Sequence, residues 1–263
     1  MIKDVEALVN NICKQIRERT DIAVIGMSGG ADSTLVACLC REALGRENVV
    51  GVQMPYGEVD LSKFNANSQK VINKLKIRSE WFPITEPVDK LSYIITTNSL
   101  CGPQLSQINA GNMRSRMRML CLYATSHIEE NAFHKRARVV GTGNLSEDFI
   151  GYDTKGGDSL CDFFPIGQLF KSEVYQMLEY FRDKGVIDEE MIDRVPSAGL
   201  WNGQTDEGEL GHTYNEMEAS ITRCMNYEVD VNNPIDMFVS QRHMINKHKH
   251  EACPALELGK FRS

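Results

Sequence analysis

No apolar run in the 263 residues approaches the roughly 18 needed to cross a bilayer. The N-terminus, M-I-K-D-V-E, carries acids early and has no signal-peptide core. These two absences predict a cytoplasmic protein with no membrane partner. The eight cysteines, at positions 13, 38, 40, 101, 121, 161, 224 and 253, include no C-x-x-C pair. Most stand in apolar helical contexts, so free buried thiols are expected rather than a structural zinc site. Basic residues are in deficit, 29 against 36 acidic, giving a net charge of −7, which argues against nucleic acid as the main partner. The phosphate-binding string G-x-x-x-x-G-K-[ST] is missing. Neither an internal repeat nor a linker breaks the chain. It therefore reads as one domain over 1–263, with a C-terminal helical extension over about 212–263.

What is present centres on residues 22–33, I-A-V-I-G-M-S-G-G-A-D-S. An apolar β-branched run leads into Ser28, Gly29, Gly30, Ala31, Asp32 and Ser33, and a helical pattern follows at Thr34. Strand, glycine turn and helix in that order make an anion site. Adjacent glycines tolerate φ > 0 and let N–H groups converge, and a helix N-terminus adds its partial positive charge. The hydroxyls of Ser28 and Ser33 add donors. A carboxylate at Asp32 repels phosphate unless a divalent cation stands between them.

Along the chain, periodicity predicts a helix over 3–20, a strand over 22–26, a helix to about Leu44 and a buried strand over 48–54. Ligands of open parallel sheets lie beyond the carboxyl ends of the strands, which makes Met54 a candidate adenosine contact. Helices follow over 61–75, 87–97 and 111–130, with strands over 79–84 and 138–142. The helix over 111–130 carries an apolar stripe of Met113, Met117, Leu120, Ala124 and Ile128, together with Arg114, Arg116 and Arg118. Three arginines in five residues suit a polyanion or a partner subunit. The glycine- and aspartate-rich stretch 151–162 has no packing logic, and loops of that kind are usually functional. Helices are expected over 171–182 and 188–193, then from Thr205 or Asp206 through Ile221, and over 234–250 with a basic end.

Several separated strings agree on one resemblance. They are S-G-G-A-D-S at 28–33, N-M-R-S-R-M-R-M at 112–119, G-T-G-N-L-S-E at 141–147, T-K-G-G-D at 154–158, Lys171 after Pro165, and P-S-A-G-L-W-N-G-Q-T-D-E at 196–207. Over nearly its full length the chain resembles the ammonia-dependent NAD synthetases, within the N-type ATP pyrophosphatase superfamily. The resemblance implies an α/β fold, a Rossmann-like parallel sheet flanked by helices of the adenine nucleotide alpha hydrolase-like kind. It implies amidation of deamido-NAD through an acyl-adenylate, with ATP as co-substrate, ammonia as nitrogen donor, and release of AMP and pyrophosphate.

Residue by residue, it places ATP against Gly26, Ser28, Gly29, Gly30, Asp32 and Ser33, and further on against Met54, Thr142, Lys171 and Ser197. Magnesium falls to Asp32 and Glu147. Asp158, Lys155 and Lys171 take catalytic roles. Deamido-NAD would meet Asn112, Arg116, Lys155, Asp158, Asp162, Glu207, His248 and Lys249, with the site at a homodimer interface. The chain departs from the family in places. Gln53 and Val59 stand where members carry Arg and Gln near adenine, and Asp153 and Gly156 stand within the loop that reads F-F-T-K-Y-G-D elsewhere. The chain begins about 20 residues before the 22–33 stretch, which leaves no room for an amidase domain and predicts direct use of free ammonia. Nicotinate mononucleotide remains an alternative substrate. A ligand-sensing relative and a tRNA-modifying sulfur transferase are further alternatives; the last would need cysteine pairs and a basic face, and this sequence has neither.

Overall fold

The computed structural model describes residues 1–57, 65–99, 105–192 and 205–251. Its centre is β1 (Ile22–Gly26), hydrogen-bonded in parallel on both sides, to β2 (Val49–Gln53) and to β4 (Ala137–Val139). β3 (Arg78–Trp81) pairs with β2 and completes a four-stranded parallel sheet of order β3-β2-β1-β4. A single parallel bridge from Val140 to Phe163 extends it beyond β4. The register sets Val24 opposite both Val50 and Val139. Strands covered on both faces need side chains that are apolar in both directions, which is why β1 and β2 read as unbroken apolar runs. β3 is the exposed edge.

β1 alternates between two cores. Ala23 and Ile25 face α1 (Val5–Arg19), α2 (Ala31–Leu44) and α7 (Lys171–Asp183), in a cluster with Ile16, Leu35, Leu39, Val174 and Leu178. Ile22 and Val24 face the other way, in a cluster with Val50, Val52, Ile84 and Ala137. Met117, Cys121 and Leu122 of α5 (Gln107–Phe133) cover that second cluster, and Val88 comes from α4 (Thr85–Asn98). α3 (Asn65–Leu75) packs on α2 and β2. A third cluster joins Ile150, just past α6 (Leu145–Phe149), to α8 (Asp206–Leu210), α9 (Tyr214–Met225) and α10 (Pro234–Asn246).

Three expectations need correction. The helix expected from Thr205 or Asp206 through Ile221 is two helices. Gly211, at φ 74, ends α8 in the left-handed conformation, and Thr213 with Glu216 forms a reciprocal capping box that starts α9. The helix expected over 188–193 is only a 3-10 turn, Glu189–Met191. The stripe on α5 does not pack as a stripe. Met117 is partly buried, but Leu120 and Ile128 are 57% and 63% exposed, and Ala124 is exposed too. Apart from Gly111, the fully buried positions of α5 are polar. Ser126 Oγ donates to Ala137 O, and Glu129 takes both terminal nitrogens of Arg78, at 3.0 and 2.6 Å.

Cys13, Cys38 and Cys40 are buried free thiols, and Cys121, Cys161 and Cys224 are partly buried free thiols. Among the described residues no helix is long and apolar enough to cross a membrane.

α10 is held to α9 by an ion pair. The fully buried Asp236 receives Arg223 Nε at 2.9 and 3.1 Å and the Asp230 N–H at 3.0 Å. Hydrogen bonds from Arg223 hold the Asp236 carboxyl well below the usual carboxylate range. That stabilisation is therefore complete above the unfolded-state value of 3.8 and is lost as pH falls below it. Asp236→Asn is expected to cost roughly 3 kcal/mol in urea unfolding at pH 7, because it leaves a guanidinium facing an uncharged buried partner. The deficit should shrink as the titration is carried into acid below pH 4.

Candidate active site

The site lies where β1 and β4 run side by side and their following loops diverge. The chain leaves β1 through Met27, Ser28, Gly29 and Gly30, and Gly30 is the N-cap of α2 with no side-chain cap. The first N–H groups of α2 are thus left to an incoming anion. Gly29 sits at φ 72, and a Cβ there would lie 2.6 Å from Ser68 N, so only glycine fits between the turn and α3. Ser28 Oγ and Ser33 Oγ are 3.1 Å apart, and Gly30 N donates to Ser28 Oγ.

Across the crevice, the fully buried Asn144 ties the two loops together. Its Oδ1 accepts the Glu147 N–H and caps α6, while its Nδ2 donates to Asp32 Oδ1 at 2.9 Å. Lys171, the first residue of α7, is 4% exposed and places Nζ 2.6 Å from Asp32 Oδ2 and 2.9 Å from Glu147 Oε1. Burial works against the charge on Lys171, but the two carboxylates outweigh it and raise its pKa, so the side chain is a fixed cation and not a base. Burial pushes the Glu147 carboxyl upward in spite of Lys171. The Tyr214 hydroxyl lies 3.0 Å from both Glu147 Oε1 and Asp206 Oδ2. Glu218 of α9 accepts from Ser172 N, Ser172 Oγ and Ser146 Oγ, and so sets a carboxylate on the N-terminus of α7.

A cavity of about 630 Å³ opens from this cluster. It is lined by Gly26, Ser28, Gly30 and Asp32, by Gln53, Met54, Arg118 and Thr142, and by Asn112, Arg116, Lys155, Asp158, His248 and Lys249. Ser33 lines a small adjoining cavity. Gln53 is buried, with Nε2 donating to Ser68 Oγ at 2.7 Å. The loop over 151–162 is clamped to α5. Thr154 Oγ1 donates to Asn112 Oδ1 at 2.8 Å, Ser115 Oγ to Asp158 Oδ1 at 2.7 Å, and Arg116 Nε to Lys155 O at 3.2 Å. The C-terminal segment closes on the same loop. Lys155 Nζ donates to His248 O at 2.6 Å, and Lys249 Nζ to the carbonyls of Gly151 and Asp153 at 2.7 and 2.8 Å.

Two expected substrate contacts do not line the cavity. Asp162 is exposed and its Oδ2 accepts the Val139 N–H, a bond that trims the end of β4. Glu207 turns away to accept the Tyr214 N–H, while its neighbours Asp206 and Glu209 face inward. Gly29 shapes the turn without lining the space. Ser197 and Val59 lie outside the described residues. Reading the sequence did not single out Asn144, Ser115, Tyr214 or Glu218. Asn144 could have been found, because an Asn three residues before a Glu at a strand's end is a capping signature. Tyr214 and Glu218 arrive through tertiary packing alone.

The model of the NAD synthase family matches residues 3–252. The NH(3)-dependent NAD(+) synthetase of Fusobacterium nucleatum is 39% identical over 203 residues, spanning 77% of this chain and 72% of that one. The enzyme of the same name from Pyrococcus horikoshii is 34% identical and spans 95% and 93%. Among solved structures, the NH3-dependent NAD synthetase of Campylobacter jejuni superposes with a TM-score of 0.74 at 25% identity, covering 97% of this chain and all of that one. The NMN synthetase of Francisella tularensis shares the fold, with a TM-score of 0.81 at 24% identity over 98% of this chain and all of that one. With the glycine turn, the Asp32–Lys171–Glu147 cluster and the clamped loop in one crevice, and relatives of this identity along its length, the chain belongs to the NAD synthase family.

Proposed function

We propose that this protein is an ammonia-dependent NAD synthetase that amidates deamido-NAD at the expense of ATP. The observation that carries the reading is the convergence of Asp32, Glu147 and Lys171 beside the uncapped start of α2, on the wall of one cavity. A cluster of two acids and one fixed cation at a phosphate turn suits charge neutralisation of a departing pyrophosphate.

The chemistry runs in two displacements. A carboxylate is a poor acyl donor, because its leaving group would be oxide. Its oxygen attacks the α-phosphorus of ATP, the bond to the bridging oxygen breaks, and pyrophosphate leaves. The lone pair of ammonia then attacks the acyl carbon of the adenylate and AMP departs with its oxygen. The surplus proton falls to the Asp158 carboxylate, which Ser115 Oγ and Thr154 N hold in the loop. Ser28, Gly30 and Ser33 cradle the leaving phosphates. Lys171 supplies the positive charge the turn lacks, and Asn144 fixes Asp32 against Glu147. Met54 and Gln53 border the space for the base, with Thr142 nearer the phosphates. Asn112, Arg116, Lys155, His248 and Lys249 border the space for the dinucleotide.

Asp32 and Glu147 fit a magnesium ion: both are hard oxygen donors lining one crevice. They would hold the ion, which would supply Lewis-acid neutralisation of the phosphate oxygens.

The homodimer belongs to the same proposal. Leu120, Ala124 and Ile128 turn outward on α5, and Leu91, Ile94 and Ile95 are exposed on α4, which packs beside it. Covering this surface with a second copy brings the arginine-bearing helix to the subunit boundary.

Purified protein given ATP, magnesium and deamido-NAD is expected to release about one pyrophosphate per site, and to turn over continuously only when ammonium is added. Faster turnover of nicotinate mononucleotide would reassign the substrate, and no release with either would support a sensing role. Lys171→Ala strips the cation from two facing carboxylates and is expected to cost roughly 3–5 kcal/mol of stability at neutral pH. Magnesium should raise the melting temperature of the variant more than that of the wild type, and an equal rise would deny that Asp32 and Glu147 share a cation site. Sedimentation at micromolar concentration is expected to give a dimer, and Leu120→Asp to shift it toward monomer.

A further inference from the structure

A second cluster of donor atoms borders the small cavity that Asp32 and Glu147 also line. Asp148 lies in the last turn of α6, Asp153 follows in the loop, and His250 approaches from the C-terminal segment. One ligand atom from each lies within 4.8 Å of the other two.

We propose that Asp148, Asp153 and His250 form a binding site for a divalent transition-metal ion that clasps the C-terminal segment to the substrate loop.

Three observations carry this. The Asp153 side chain is 5% exposed, yet neither of its carboxylate oxygens has a hydrogen bond. Buried carboxylates are normally saturated with donors. Lys249 does not fill that need. Its Nζ is 3.5 Å from Asp153 Oδ1 and is committed to two backbone carbonyls, so it offers charge on one side only.

The spacing is the second observation. His250 Nε2 is 3.2 Å from Asp153 Oδ2. Two ligands at about 2.0–2.1 Å from one ion, with an angle of about 100° between them, stand at that separation.

The third is the donor set. Two carboxylate oxygens and one imidazole nitrogen form a donor set for zinc, cobalt or manganese, whereas magnesium and calcium favour all-oxygen shells.

The ion would join segments about a hundred residues apart. Lys155 already donates to His248 O across the same junction. A metal clasp would hold His248 and Lys249 over the loop that carries Lys155 and Asp158.

The test uses the full chain, stripped with chelator and kept in excess magnesium so that Asp32 and Glu147 do not compete. It is titrated with Co2+ and followed by visible absorption. Nitrogen and oxygen ligation gives d–d bands without a near-ultraviolet thiolate band, which separates this site from the eight cysteines. Expected is one ion per chain in the wild type, bound at least about tenfold more weakly by both Asp153→Asn and His250→Ala. Circular dichroism confirms that each variant is folded. Cobalt should also slow tryptic cleavage after Lys247 and Lys249 in the wild type but in neither variant. Equal cobalt affinity in all three proteins, a thiolate band as the only signal, or no binding at all would overturn the proposal and leave His250 and Asp153 as a direct ion pair.

Discussion

The contact of one ammonium group with two carboxylates, Lys171 with Asp32 and Glu147, is the constraint on which the rest of the structure turns. Each member comes from a different part of the chain: the start of α2, α6 after β4, and the first residue of α7. A buried triad of this kind is costly unless every charge is met. The neighbouring elements meet it. Asn144 hydrogen-bonds Asp32, Tyr214 reaches Glu147, and Ser146 and Glu218 fix the N-terminus of α7 so that Lys171 points inward. The parallel sheet supplies the geometry: β1 and β4 are neighbours, so the loops at their carboxyl ends face each other.

Much of this was legible locally. The run before Gly26, the glycine pair and the helix after it are neighbours in sequence, and the strand, turn and helix fell where their residues predicted. Gly29 shows why the signal was sound, since its positive φ and the Ser68 backbone beside it both forbid a Cβ. The break at Gly211 was also readable in principle, from a glycine followed by Thr213 and Glu216. It was missed because the apolar period carries on across it.

What sequence could not supply was direction. Asp162 and Glu207 stand in the right strings, but their carboxylates bond to backbone N–H groups of Val139 and Tyr214, because side-chain aim depends on packing that adjacent residues do not encode. The α5 stripe shows the same limit on a larger scale. Met117 of the stripe meets the sheet beside Cys121 and Leu122, whereas Leu120 and Ile128 of the same stripe face outward and Glu129 lies inward, paired with Arg78 of the edge strand.

The carboxylate of Glu218 on the N-terminus of α7 has an architectural consequence. α9 and α10 have a core of their own and could be taken for an appendage. Yet one acid from α9 gathers Ser146 and Ser172, the residues flanking Glu147 and Lys171 in their chains. Removing the helical pair would untie both sides of the crevice at once. The pair is a keystone: it cannot be exchanged as a module without rebuilding the acid–lysine cluster beneath.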